Sequence, residues 1–311
     1  IRDRSPSRGL GDVYKRQVKV KVFTIFVIEQ GGVMDSVTLH EKVLYPVVRV
    51  RAGQAGGSGV LVYSEPDPQD EGKFINILLT CEHVIDGAIK LRDEWDAILK
   101  REVKRDVLDE VTIEVFDYDG SKVVSANSTT GQIIAYDKHH DLAAVKLNSN
   151  TRPLSHVASV IPKDQIPCLQ LFDPVWVSGC SLLHDPFPNP GTITYLREMI
   201  DQKAYLMQNA SSIFGNSGGG LFQGSGEDLN LLGLTSRVTV TQLGFGVDVQ
   251  TWMGFSTHPD RLYEFFDHHE LQFLYDKNDD FYSAQQRREG RRRDALRSIL
   301  LESQGEKSDN E

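Results

Sequence analysis

The residues with the most chemistry in their spacing lie in the stretch Phe214-Gly-Asn-Ser-Gly-Gly-Gly-Leu221, where one serine stands among four glycines. Glycine reaches backbone angles closed to other residues and lets a ligand approach the main chain closely. A loop of this kind can hold the Ser217 hydroxyl outward and turn backbone N–H groups toward a common point. Attack of a serine on a carbonyl needs such donors, because negative charge builds on the carbonyl oxygen. A Gly-rich hairpin turn would explain the same letters. Two upstream residues weigh against that plain reading. His83 sits in Leu79-Thr-Cys-Glu-His-Val-Ile85, just past an apolar run, and Asp141 opens His140-Asp-Leu-Ala-Ala-Val-Lys-Leu147, directly before another. Alone, each reads as a structural histidine or a turn aspartate. Together with Ser217 they make a complete set for acyl transfer: a nucleophile, an imidazole that takes and returns its proton, and a carboxylate that fixes the imidazole tautomer. The set calls for no cofactor and no metal.

The elements that must position these groups are short β-branched runs. Residues 47–50, 59–63, 74–80, 111–118, 122–124, 131–136 and 142–147 read as strands, divided by Gly, Pro and Asp turns. Residues 148–172, with Pro153, Pro162 and Pro167, read as an irregular connection. A second strand set follows over 175–178, 192–196, 204–208, 221–222, 231–236 and 244–249. The pattern predicts an all-β sandwich or barrel architecture. Two segments break the rhythm. Leu91, Trp95, Ile98, Leu99 and Val103 stand near helical spacing within a charged stretch, which predicts one surface helix inserted over residues 89–110. Leu262, Phe265, Phe266 and Phe273 predict a closing helix over residues 259–275. Residues 276–311 form a highly charged, Arg-rich tail that reads as disordered or partly helical.

Composition narrows the function. The chain carries 34 Lys and Arg against 44 Asp and Glu among 311 residues, a net charge of −10. That balance argues against nucleic acid as the main partner. Three cysteines do not make a disulfide framework. No apolar run reaches the roughly 20 residues needed to span a bilayer, so no membrane partner is expected. Residues 1–17 resemble translated adapter sequence, and residues 18–28 could be a short export signal. With Met34 as the start, residues 1–33 are non-native or leader sequence and the protein is cytoplasmic; with the signal used, it is exported. Nothing in the pattern sets an oligomeric state. The pairs His139-His140 and His268-His269 are poor metal ligands on a strand, since adjacent side chains there point to opposite faces.

Thr80-Cys-Glu-His83, Asp141-Leu-Ala-Ala-Val-Lys146 and Gly215-Asn-Ser-Gly-Gly219 resemble, in order, the three catalytic motifs of trypsin-like serine proteases. Gly57-Ser58-Gly59, His83-Val-Ile-Asp-Gly-Ala88 and Leu243-Gly-Phe-Gly-Val247 look most like the HtrA (Deg) branch, here with no PDZ-like domain following. The resemblance covers residues 44–275 within a domain expected to run from 34 to 275. It implies two six-stranded antiparallel barrels, about 44–150 and 168–258, with the site in the cleft between them. It implies His83 as general base and acid, Asp141 as its orienter and Ser217 as nucleophile. The oxyanion hole would be built on Gly215, Asn216 and Ser217, chiefly through the N–H groups of Gly215 and Ser217. Ser211 would floor the pocket for the residue before the scissile bond, and Leu234, Thr235 and Ser236 would form the edge strand that pairs with a polypeptide substrate.

Some positions depart from that pattern. Cys81 replaces a small or amide residue and reads as a core thiol or a redox-sensitive neighbour of His83. Gly220 replaces a frequent proline. Asn216 replaces the aspartate that pairs with a newly cut N-terminus in zymogen-activated relatives, so activity is expected without such cutting. The neutral Ser211 predicts cleavage after small or medium apolar residues. Two other functions are compatible with parts of the sequence. One is a silent protease-like module that only binds peptides. The other is an α/β-hydrolase esterase, which the order His, Asp, Ser contradicts.

Overall fold

The computed structural model describes residues 35–96, 100–148, 151–244 and 246–308. Residues 1–33, expected to be leader or non-native sequence, lie outside these, as do Met34, Ile98, Leu99 and Phe245. A short helix α1 (Ser36–Leu39) leads into β1 (Val47–Ala52), β2 (Ala55–Pro66) and β3 (Phe74–Thr80). After the single-turn α2 (Glu82–Ile85) come β4 (Ile89–Asp96), β5 (Arg101–Leu108), β6 (Val111–Asp119), β7 (Lys122–Asp137) and β8 (Leu142–Leu147). The second half holds β9 (Pro174–Gly179), β10 (Phe187–Ile200), β11 (Lys203–Gln208), β12 (Gly220–Gln223), β13 (Asn230–Leu243) and β14 (Gly246–Thr257). Helices α3 (Pro259–His268) and α4 (Phe281–Ser308) close the chain.

Two closed barrels result, in the strand orders β1-β2-β3-β8-β7-β6 and β10-β11-β14-β13-β12-β9, with every pairing antiparallel. This is the all-β, two-barrel architecture that the resemblance implies. Period-two alternation drives it: Val111, Ile113 and Val115 of β6 are buried while Thr112 and Glu114 are less so. The first barrel fills with Val47, Val60, Ile77, Leu79, Ile113 and Val145, and α3 adds Leu262, Phe265 and Phe266 to the same apolar cluster. The second fills with Val175, Val177, Ile193, Leu206, Leu221 and Leu232. The two barrels are joined by the irregular segment, whose Val160 bridges to Leu231.

The described residues of 89–110 form no helix. They make a separate two-stranded hairpin, β4 paired with β5 from Ile89↔Leu108 to Asp96↔Arg101. Residues four apart share a face in a strand as well as in a helix, so Leu91 and Trp95 satisfied both periods. Both are largely exposed, at 61% and 66%. The closing helix is also shorter than expected. It stops at His268, Glu270 takes a left-handed φ of 53°, and Phe273 lies in a separate 3-10 turn, Gln272–Leu274. Within the tail, expected to be disordered or partly helical, residues Phe281–Ser308 form one helix. Asp280 caps it by accepting from the N–H groups of Tyr282 and Ser283, each at 2.9 Å. Phe281 and Ala284 are buried, and Arg287 is held by Glu270 at 2.6 Å and Asp279 at 2.5 Å.

Candidate active site

Asp141 sits in the turn between β7 and β8 with φ 55°, a left-handed conformation that aspartate tolerates better than most residues. This aims its carboxylate at α2, the turn of helix that directly follows β3. The His83 Nδ1 lies 2.9 Å from Asp141 Oδ1 and 3.0 Å from Oδ2, and the His83 backbone N–H donates to Oδ1 at 3.1 Å. Ser236, on β13 of the other barrel, donates its hydroxyl to Oδ2 at 2.6 Å. The His83 side chain is 46% exposed and that of Asp141 only 17%, so the imidazole covers the carboxylate. Burial opposes charge on both groups, but their mutual hydrogen bond and attraction prevail. His83 is held above its ordinary pKa and Asp141 below its own, with the Ser236 hydroxyl and the His83 N–H helping the carboxylate.

Ser217 is brought to this pair by Ser58 of β2. The Ser58 N–H donates to the Ser217 carbonyl at 2.8 Å, and the Ser58 carbonyl accepts from the Thr80 hydroxyl at 2.7 Å. The Ser58 hydroxyl donates to the Gly215 carbonyl and accepts from the Cys180 N–H, both at 2.7 Å. The serine loop of the second barrel is thereby fastened to the histidine strand of the first. A Cβ on Gly57 would lie 2.7 Å from the Ser217 carbonyl oxygen and 2.8 Å from Val84 Cγ2, so those two groups crowd one point. Gly218, at φ 84°, is placed more tightly still: a Cβ there would lie 2.1 Å from the Ser58 carbonyl oxygen and 2.4 Å from Thr80 Oγ1. The Ser217 hydroxyl itself makes no hydrogen bond to His83 among the described residues. Such bonds commonly tighten only when substrate is in place.

The N–H groups of Gly215 and Ser217 have no hydrogen-bond partner among the described residues. The N–H of Asn216 does, donating to the Ile213 carbonyl at 3.1 Å, so it cannot join them. Gly215 has φ 93°, and the Leu182 N–H holds the preceding carbonyl, that of Phe214, at 2.7 Å. This arrangement leaves the N–H groups on either side of Asn216 available as donors. The Asn216 side chain turns inward and accepts from the Ser181 hydroxyl.

The expected substrate-binding residues move more. Ser211 is exposed, while its neighbour Ser212 is buried and receives the Gln208 Nε2 at 3.0 Å. Leu234 and Thr235 are buried; Leu234 is paired with Gly220 of β12, and Thr235 is enclosed between the Gly218–Gly219 backbone and Ser256 of β14. The side of both that would face a substrate strand is taken, so they cannot be the edge. The open edge of β13 starts at Ser236 and runs along Arg237, Val238 and beyond, where the described pairing is with β14 alone. Ser58, Ser181 and Ser236 were not readable as positioning groups, because a hydroxyl's partner is set only by the tertiary fold.

The paired histidines lie outside strands, in the turn before β8 and at the end of α3, and they do not separate: the His139 and His140 rings meet edge-on with centroids 5.1 Å apart, and the His268 ring lies 6.2 Å from that of His140. His140 is buried, 4.0 Å from Asp137 and 3.8 Å from Glu264, and Arg261 donates to its carbonyl. His269 lies 3.6 Å from Asp137. Burial holds both imidazoles below their ordinary pKa. They prop the turn that carries Asp141.

Comparison with known proteins follows this geometry. A serine endoprotease from Yersinia pestis has a similar structure, at 15% identity over 76% of this chain and 67% of that one, with a TM-score of 0.48. No curated protein matches the sequence. Residues 57–234 match the trypsin-like peptidase domain, and the chain belongs to that family.

Proposed function

We propose that this chain is an active serine endopeptidase that works through an acyl-enzyme on Ser217. The observation that carries the reading is the His83 Nδ1–Asp141 contact at 2.9 Å beside a serine loop pinned by Ser58. With Nδ1–H held by Asp141, the lone pair of Nε2 is the one free to take the Ser217 proton. The serine oxygen attacks the peptide carbonyl, and the N–H groups of Gly215 and Ser217 receive the developing charge. His83 then protonates the leaving amine, and a water repeats the sequence to release the acid. Each stage passes through an imidazolium, which the Asp141 charge stabilises.

A polypeptide would reach Ser217 by adding a strand to the open edge of β13 from Ser236 onward. The side chain before the scissile bond would meet Ser211, Ser212 and Gln208. These are neutral, so small or medium apolar residues are the favoured occupants rather than Lys or Arg, which need a carboxylate there. Asn216 is held by Ser181 inside the fold, which supports activity without cleavage of a zymogen. The lack of a Ser217–His83 hydrogen bond favours the second reading, a module that captures peptides without turnover. Reaction with a fluorophosphonate separates the two. One adduct per chain, absent in Ser217→Ala, is expected; an unreactive wild-type protein that still binds peptides would establish the module.

A further inference from the structure

We propose that Cys81, His83 and Asp141 form a binding site for a thiophilic divalent cation of the zinc class, and that its occupancy switches the enzyme off. The inhibition rests on the peptidase reading above; the binding does not. Among the described residues this is the one group of His, Cys, Asp and Glu side chains compact enough to hold an ion, with one ligand atom from each within 4.8 Å of the others.

The sequence explains why the group exists. Cys81 ends the approach to α2 two residues before His83, and its Sγ lies within 4.8 Å of a ring nitrogen of His83 and a carboxylate oxygen of Asp141. It donates there to the Thr235 carbonyl at 3.4 Å. Zinc bound tetrahedrally at ordinary bond lengths sets its ligand atoms about 3.3–3.8 Å apart. The His83–Asp141 pair, now at 2.9 Å, has to open by only a few tenths of an ångström. Cys81 is wholly buried, while the His83 side chain is half-exposed, so His83 is the ligand of the three that solvent reaches most. A thiolate and a carboxylate balance the charge of the ion. The Ser236 hydroxyl and the His83 N–H already hold the carboxylate oxygens as outer partners.

The proton balance makes binding and catalysis exclusive. The ion binds the sulfur as a thiolate, so the thiol proton leaves to solvent as the ion enters. To ligate through Nδ1, the neutral imidazole must carry its proton on Nε2 instead. That is the tautomer that cannot accept the Ser217 proton. Zinc would therefore enter with release of about one proton per ion, and the occupied site would have no general base.

Direct titration tests the site without relying on activity. Zinc binding is measured by calorimetry in two buffers of different ionisation enthalpy, and cadmium is used to follow the thiolate-to-metal absorption band. Because Cys168 is exposed, the titration is run in wild type, Cys168→Ser, Cys81→Ser and Asp141→Asn. The proposal expects one site in wild type and Cys168→Ser, weakened at least about a hundredfold in Cys81→Ser and in Asp141→Asn. It also expects affinity that rises with pH. Peptide hydrolysis, taken for each protein relative to its own metal-free rate, should lose zinc sensitivity in Cys81→Ser. No cadmium–thiolate band in Cys168→Ser overturns the site, as does zinc binding of equal strength in folded Cys81→Ser. A wild-type chain that binds zinc but shows no hydrolysis in its absence leaves the site standing and removes the peptidase reading.

Discussion

The Ser58 hydroxyl donates to the Gly215 carbonyl at 2.7 Å, joining a β2 residue of the first barrel to the loop that carries the nucleophile in the second. The same oxygen accepts the buried Cys180 N–H, so one small side chain sets the pitch of the Gly215 peptide. Ser58→Ala strips both partners inside a dry region. A cost of about 2–3 kcal/mol in stability is expected from the groups left unpaired. Because Gly215 is freed to rotate, kcat should fall by about a hundredfold with KM little changed. Chemical denaturation and steady-state kinetics read the two effects. Equal stability and activity would show that the bridge positions nothing.

The His83–Asp141 pair governs the pH dependence. His83 must be neutral to accept a proton, and its pKa is raised, so activity is present above that pKa and lost as pH falls through it. The acid limb of kcat/KM should therefore have its midpoint above the ordinary imidazole value of about 6.5. Asp141→Asn removes the stabilising charge and must move the midpoint down. It should also cut kcat by about ten-thousandfold through the wrong tautomer. A midpoint that stays in place in the Asn variant would mean that another group titrates.

Substrate length should matter because the open edge of β13 does not end at the site. From Ser236 to Leu243 it offers about 25 Å of unpaired backbone on the far side from β14. Extending peptides from about three to about eight residues on the amino side of the scissile bond should raise kcat/KM by about tenfold. Replacing residues 240–249 with an Asn-Gly turn keeps the Thr239↔Gln250 pair and should bring the long-to-short ratio toward unity. The ratio does not depend on how much of the variant is folded. A flat length series in the wild type would refute the track.

The β4–β5 hairpin should be separable from the barrels. Among the described residues its strands pair only with each other, and the Asp109 N–H donates to the Ala88 carbonyl at 2.8 Å at its base, so the two ends are already adjacent. Joining Ile89 to Leu108 through an Asn-Gly turn keeps Ile89 against the core and loses the Tyr136–Asp106 contact and exposed ion pairs. A stability change under about 1 kcal/mol is expected in a thermal melt. Failure of the shortened chain to fold would contradict this.

The catalytic letters were legible because glycine, histidine and aspartate at those places are each constrained by backbone as well as chemistry. Gly218 and Gly215 are fixed by positive φ and close approach, and Asp141 by its left-handed turn. The hairpin was not legible, since Leu91 and Trp95 are spaced alike in both periods and no buried face breaks the tie. The edge strand was misplaced toward its start because only tertiary pairing shows that Thr235 is enclosed by Gly218, Gly219 and β14. Arg287 and Arg291 meet Glu270, a carboxylate buried at a left-handed break that periodicity does not mark.

The account turns on Ser217 becoming acylated while His83 and Asp141 are intact. Acid quenching during turnover of an activated ester, followed by peptide mass analysis, measures this directly. One acyl group on the peptide that contains Ser217, lost in His83→Ala and in Ser217→Ala, is the predicted result. Hydrolysis with no adduct on that peptide, or an adduct that persists in His83→Ala at the wild-type rate, would contradict it.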